Sequence, residues 1–177
     1  LRTVTGVQTC ALPIFAQRKG SASELAEQAC RNLVNHPALT ILSAQIRELS
    51  ATPGKPGPRY CYVRGLISPA IHYHVQLPLP ENWNNRFLML GDGGTDGDLD
   101  FADFRVVQGY AVANSNTGHD AAAEPGTVFA YNNPQAEIDF GYRAVHTTIS
   151  AARALVKAYY GRDSRYNYFE GCSQGGR

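Results

Sequence analysis

Gly171-Cys172-Ser173-Gln174-Gly175 sets a serine between two glycines, directly after the aromatic run Tyr166-Asn167-Tyr168-Phe169. A serine held on a sharp strand-to-helix turn presents its Oγ above a sheet, where it can attack a carbonyl carbon and carry an acyl group. The glycines fit that geometry, because side chains beside such a turn would collide. A following helix would aim its N-terminal N–H groups at the negative charge that develops. Cys172 is the rival nucleophile, since a thiolate beside a histidine is reactive. The residue before the apex of such a turn points toward the sheet, however, so Ser173 is the candidate.

A second glycine-rich run, Gly91-Asp92-Gly93-Gly94-Thr95-Asp96-Gly97, follows the apolar segment Phe87-Leu88-Met89-Leu90. A loop without β-carbons lets a main-chain N–H approach the oxygen of a tetrahedral intermediate, and one such donor is worth about 3 kcal/mol of barrier. No Lys-Ser or Lys-Thr closes the run, which excludes a phosphate loop. Asp92, Asp96, Asp98 and Asp100 form a competing calcium-loop pattern, although the EF-hand spacing is broken and no Glu closes it. His119, in Asn116-Thr-Gly-His-Asp120, reads as structural, hydrogen-bonding the neighbouring loops. In this kind of site the base histidine follows the nucleophile. His72 and His74 share one strand face with Gln76 and no nearby carboxylate, which favours solvent-facing histidines over a metal site. His36, before Pro37, marks a helix exit, and His146 has no evident role.

These residues need elements to place them. Ser21 to Asn35 reads as a helix, with Ser23 as N-cap, Glu27 in the first turn and an apolar face of Leu25, Ala29, Leu33 and Val34. Thr40 to Leu49 fits a strand or a helix, and Thr52 to Pro58 is a proline-glycine loop. Period-two alternation over Tyr60–Gly65 and Ile71–Leu77, joined by Ser68-Pro69-Ala70, predicts an antiparallel pair. Arg86–Leu90 is a short buried strand, Phe101–Gln108 a short helix and Gly109–Asn114 another strand. A long loop, Ser115–Asn133, leads to a helix from Pro134 to Tyr160. Its apolar face is Ile138, Tyr142, Val145, Ile149, Ala152, Leu155, Val156 and Tyr159, and Gly161 stops it. Strand, glycine loop, helix, strand, helix, strand, glycine turn is the alternation of a mostly parallel α/β sheet with helices on both faces and the antiparallel pair at its edge.

Composition sets the outer limits. The 177 residues suggest about one domain. Net charge is +1 with 18% charged residues, which excludes a basic nucleic-acid footprint and a polybasic membrane patch. No apolar run approaches the ~20 residues of a membrane span. Residues 1–19 stand apart: Cys10–Ile14 with Phe15-Ala16-Gln17 has the form of a signal-peptide end, but the run more closely resembles translated adapter read-through from sequence assembly. With Cys10 set aside, Cys30, Cys61 and Cys172 remain, an odd number that asks for a further partner. Their spacing fits neither a zinc motif nor a CxxC redox site. Buried thiols and disulfides both remain open from spacing alone.

Cys61–Gly65, Leu77–Phe87 (LPLPENWNNRF), Gly91–Gly97, Asn116–Asp120, Phe140-Gly-Tyr-Arg143, Tyr159-Tyr-Gly161 and Gly171-Cys-Ser-Gln-Gly-Gly-Arg177 together resemble the tannase and feruloyl esterase family of α/β-hydrolases, which also contains mono(hydroxyethyl) terephthalate hydrolase. The resemblance covers most of residues 25–177. It implies the N-terminal part of an α/β-hydrolase fold, cut after the nucleophile elbow, with residues 20–177 as that portion and Ser173 as nucleophile. It implies oxyanion N–H donors at Gln174 and Gly94, a disulfide between Cys30 and Cys61, and a bridge from Cys172 to a cysteine after the catalytic histidine. The family's catalytic Asp and His, its lid domain and the lid's calcium site all follow the elbow. No cofactor is therefore expected in this segment, and the segment alone is expected to be inactive. The implied activity is a secreted or periplasmic serine esterase acting on small esters of hydroxylated aromatic acids. The alternative is a non-catalytic, secreted, calcium-dependent binding module using the Asp-rich loop.

Overall fold

The computed structural model describes residues 21–49 and 57–176. The leader 1–19 with Cys10, and most of the proline-glycine loop after Thr52, lie outside the described residues. Helix α1 (Ala22–Asn32) is capped by Ser21 rather than Ser23: the Ser21 hydroxyl accepts from the Glu24 N–H while the Glu24 carboxylate accepts from the Ser21 N–H. That reciprocal pair satisfies two otherwise orphaned donors. Ser23 instead accepts from Arg59 Nη1. The buried stripe is Ala26, Cys30 and Leu33, whereas Leu25 and Val34, expected on it, face solvent.

The segment left open between strand and helix is strand β1 (Thr40–Glu48), and β2 (Arg59–Ile67) and β3 (Ile71–Pro78) form the expected hairpin. With β4 (Arg86–Gly91), β5 (Ala111–Ser115) and β6 (Tyr166–Gly171) they make one six-stranded sheet in the order β1-β2-β3-β5-β4-β6. Pairing is antiparallel from β1 through β5 and parallel from β5 through β4 to β6. The sheet is thus mixed, and its antiparallel portion is larger than an edge pair.

Helices cover both faces. On one, α1 and α4 (Ala144–Tyr160) bury Val63, Val75, Leu77, Phe87 and Met89 beneath Ala152, Leu155 and Val156. On the other, α2 (Asp103–Val107) lays Val106 over Tyr60, Tyr62, Leu88 and Val112. Each large aliphatic side chain buried this way contributes about 1.5–3 kcal/mol. The Cys30–Cys61 disulfide implied by the resemblance is present, with Cα atoms 5.6 Å apart, and ties α1 to β2.

The long helix is interrupted. After α3 (Pro134–Ile138), capped by the Asn133 side chain, the five residues Asp139–Arg143 form a π turn before α4. The wider turn rotates the face that follows, so Ile138 and Tyr142 point outward instead of continuing the apolar stripe. Asp139 is buried there, accepting from Arg143 and Gln135, and Arg143 also donates to the Ser68 carbonyl in the β2–β3 turn. Gly161 ends α4 with a left-handed φ of 72°.

Candidate active site

The parallel strands β4, β5 and β6 end side by side at Gly91, Ser115 and Gly171, with Gly91 in register with Gly171. Beyond β6 the chain turns at once into a 3-10 turn, Ser173–Gly176, closed by the Gly175 N–H on the Cys172 carbonyl at 3.1 Å. Ser173 sits at its apex with φ of 55°, a left-handed conformation that is uncommon and costly for a residue with a side chain. The glycines are required by close packing. A Cβ on Gly171 or Gly175 would overlap main-chain atoms of the neighbouring turn, and one on Gly91 would meet the Gly175 carbonyl and the Phe169 ring.

The Gly91–Gly97 loop folds back over this turn. A Cβ on Gly93 would lie 3.7 Å from Ser173 Cβ and 3.6 Å from the Cys172 carbonyl oxygen, so the loop backbone passes directly against the serine. Gly94 has a left-handed φ of 64° and open space where a side chain would be. Loop and elbow are therefore brought together as expected, with Gly93 as the glycine in contact.

Beside them opens a cleft of about 330 Å³. Met89, Phe140, Val145 and Phe169 supply apolar walls, Gln174 and Gly175 border it, and Asp92, Asp96, Ser115 and Thr117 make its polar side. Burial raises both Asp92 and Asp96 above the usual carboxylate range. Asp96 reaches about 7, helped by the negative charge of Asp92, while a hydrogen bond from Asn114 works against the rise at Asp92. The Ser115 hydroxyl is buried, with no hydrogen-bond partner among the described residues.

The remaining expectations divide. His119 is buried, but its ring stacks on Phe129 with centroids 3.9 Å apart. The Asn116 amide donates to the His119 carbonyl and accepts from the His72 and Gly118 N–H groups, the Asp120 carboxylate accepts from the Ala122 and Ala123 N–H groups, and the His119 ring lies against the Thr95–Asp96 backbone of the glycine-rich loop. Burial lowers the His119 pKa. His74 is not solvent-facing: it is fully buried under α2 and the 98–101 segment, and its Nε2–H donates to the Asp100 carbonyl at 2.8 Å. Burial drives its pKa down to about 4, so the ring is neutral at ordinary pH. Cys172 is exposed and unpaired among the described residues. Among those residues no three His, Cys, Asp or Glu side chains come together as a metal-holding group, and the carboxylates from Asp92 to Asp100 are no exception. Sequence reading missed Asn114 and Ser115. Their signal was polar residues ending a strand whose body, Ala111-Val112-Ala113, is apolar and buried.

A glycine-packed serine in left-handed geometry, at the carboxyl edge of parallel strands with helices on both faces, fits an α/β-hydrolase fold with Ser173 on the turn after β6. The sequence pattern of the tannase and feruloyl esterase family matches residues 59–177, and the chain belongs to that family. It is 36% identical over 166 residues to an uncharacterized esterase of Xanthomonas campestris pv. campestris, covering 86% of this chain and 28% of that protein. Over 141 residues it is 34% identical to the mono(2-hydroxyethyl) terephthalate hydrolase of Piscinibacter sakaiensis, covering 68% of this chain and 23% of that protein. The crystal structure of feruloyl esterase B from Aspergillus oryzae superposes with a TM-score of 0.71 at 25% identity, over 85% of this chain and 33% of that one. The chain thus spans about a quarter to a third of the length of these relatives.

Proposed function

We propose that the protein to which this chain contributes is a secreted or periplasmic serine carboxylic-ester hydrolase acting on esters of hydroxylated aromatic acids. The observation that carries the reading is Ser173 itself: a non-glycine residue held left-handed at the end of a parallel strand, with the Gly93 backbone against it. Strain of that kind is retained where it serves a function.

In this reading Ser173 Oγ attacks the ester carbonyl carbon and gives up its proton to a histidine supplied by the fold outside residues 1–177, itself oriented by an aspartate. The carbonyl π electrons move onto oxygen, and the N–H groups of Gln174 and Gly94 hold the resulting oxyanion. Collapse of the intermediate expels the alcohol, which takes the proton from the histidine and leaves an acyl-serine. Water activated by the same histidine then releases the acid and restores Ser173. The cleft supports an aromatic acyl group, because Phe140, Val145 and Phe169 offer flat apolar contact while Asp92, Asp96 and Ser115 offer partners for ring hydroxyls. In this reading Cys172, exposed beside Ser173, bridges to a cysteine next to the base histidine.

The test is a fluorophosphonate probe on the full-length protein. Ser173 should be labelled, Ser173→Ala should abolish labelling, and hydrolysis of an aryl ester should fall by about four or more orders of magnitude, as the loss of a triad member does. Labelling that survives the substitution would overturn the assignment.

A further inference from the structure

Asn114 ends the buried run of β5 on the face covered by α2 and is 1% exposed. Its side chain reaches three atoms of one loop. Nδ2 donates to the Leu90 carbonyl at 3.3 Å and to Asp92 Oδ2 at 3.0 Å, and Oδ1 accepts from the Asp100 N–H at 2.9 Å. Leu90 and Asp92 flank the start of the glycine-rich loop, and Asp100 lies beyond its far end. One buried amide therefore joins both ends of the loop to the sheet. A second tie reinforces the far end, where His74 Nε2–H donates to the Asp100 carbonyl at 2.8 Å.

Between those ends the loop is held by main chain: the Asp96 N–H closes a turn on the Gly93 carbonyl at 3.3 Å, and Gly93 packs against Cys172 and Ser173. Gly93 and Gly94 carry no side chains, and Gly94 has open space around its Cβ position. Glycine populates both signs of φ readily, so such a stretch takes its direction from its anchored ends. An oxyanion donor must stand within about half an ångström of its productive place, and a displacement of about 1 Å costs on the order of 100-fold in rate.

We infer that Asn114 is the positioning residue for the oxyanion loop, setting the direction of the Gly93–Gly94 backbone toward Ser173 by clamping Leu90, Asp92 and Asp100. The inference rests on the ester-hydrolase reading for its catalytic meaning, while the clamp itself is a property of the loop. Asn114 is buried and does not line the cleft. Its loss should therefore lower kcat and spare KM.

The experiment uses the full-length protein and three variants. Asn114→Asp keeps the shape and the acceptor for Asp100 but loses both donated bonds and sets a carboxylate against Asp92. Its kcat on an aryl ester should fall by about 30- to 100-fold with KM within about twofold, the scale of a displaced donor. Adding Asp92→Asn restores a donor–acceptor pair in the reverse sense, and on an ester whose acyl group has no ring hydroxyl, which makes no use of Asp92, the double variant should recover at least about fivefold of that loss. Asn114→Ser is the milder substitution, and in it hydrogen exchange of the 91–100 segment should rise while that of β3 stays as in the parent. An unchanged exchange pattern in Asn114→Ser overturns the clamp whatever the activity. An unchanged kcat in Asn114→Asp, or a loss not recovered by the swap, overturns its link to catalysis. Should the parent protein lack Ser173-dependent hydrolysis, the esterase reading falls, and the exchange measurement still decides whether Asn114 holds the loop.

Discussion

The two halves of the sheet are built on different terms. From β1 to β3 the strands run antiparallel, β3 is buried along nearly its whole length, and the Cys30–Cys61 bridge fastens α1 to β2. From β4 to β6 they run parallel and end in glycine turns, a left-handed serine and two carboxyls with raised pKa. The first half gathers stabilising contacts, while the second spends conformational energy on geometry. Stability and activity should therefore respond separately to substitutions in the two halves.

The sharpest way to break this contrast is Ser173→Gly in the full-length enzyme. Glycine accepts φ of 55° without strain, so turnover should vanish while stability rises by about 1 kcal/mol. Calorimetry beside an ester assay reads both, and a loss of stability would show that the elbow is not strained. The mirror experiment is Cys30→Ala with Cys61→Ala. Removing a bridge with a sequence separation of 31 should cost roughly 3–4 kcal/mol in the chain-entropy model while leaving kcat/KM of the folded enzyme unchanged. Denaturant titration checks the first, and a matching fall in kcat/KM would show that the halves are coupled.

Acid sharpens the comparison further. His74 has a folded pKa of about 4, below the ordinary 6.5, because burial disfavours its charged form. Its contribution is fully present above about pH 6.5 and is lost as pH falls toward 4, up to about 3 kcal/mol in all. His74→Gln should flatten that part of the stability–pH curve, and an unaltered slope between pH 6.5 and 4 would remove His74 as its source. The smallest effect is expected at the far corner: Ser21→Ala breaks the cap of α1 and should cost about 1 kcal/mol with no change in activity.

Much of this was legible in the residues. The hairpin of β2 and β3, the short apolar strands β4 and β5, the helix stop at Gly161 and the glycine-flanked Ser173 each carry a local signal that tertiary contacts left intact. Other features were not local. His72, His74 and Gln76 alternate as a solvent-facing strand would, yet α2 and the 98–101 segment cover His74 and Gln76, with His74 bonded to Asp100 and Gln76 to Asp103. The stripe through Ile138 and Tyr142 fails because the π turn at Asp139–Arg143 changes the helical phase, a change the apolar period does not encode. Ser23 and Ser21 are equally good caps by type. Glu24, three residues after Ser21, completes a capping box that is itself a local signal, and the tertiary contact from Arg59 to Ser23 adds to it.

By itself, the sequence determined where the chain must turn, which segments alternate or repeat apolar residues, and which serine stands between glycines, since these depend on backbone sterics and on neighbours a few positions away. Only the tertiary structure decided that Gly93 lies against Ser173, that partial burial raises the pKa values of Asp92 and Asp96, and that Asn114 ties both ends of one loop. Each of those depends on segments remote in sequence meeting at the carboxyl edge of the parallel strands, where burial and hydrogen bonding act through space rather than along the chain.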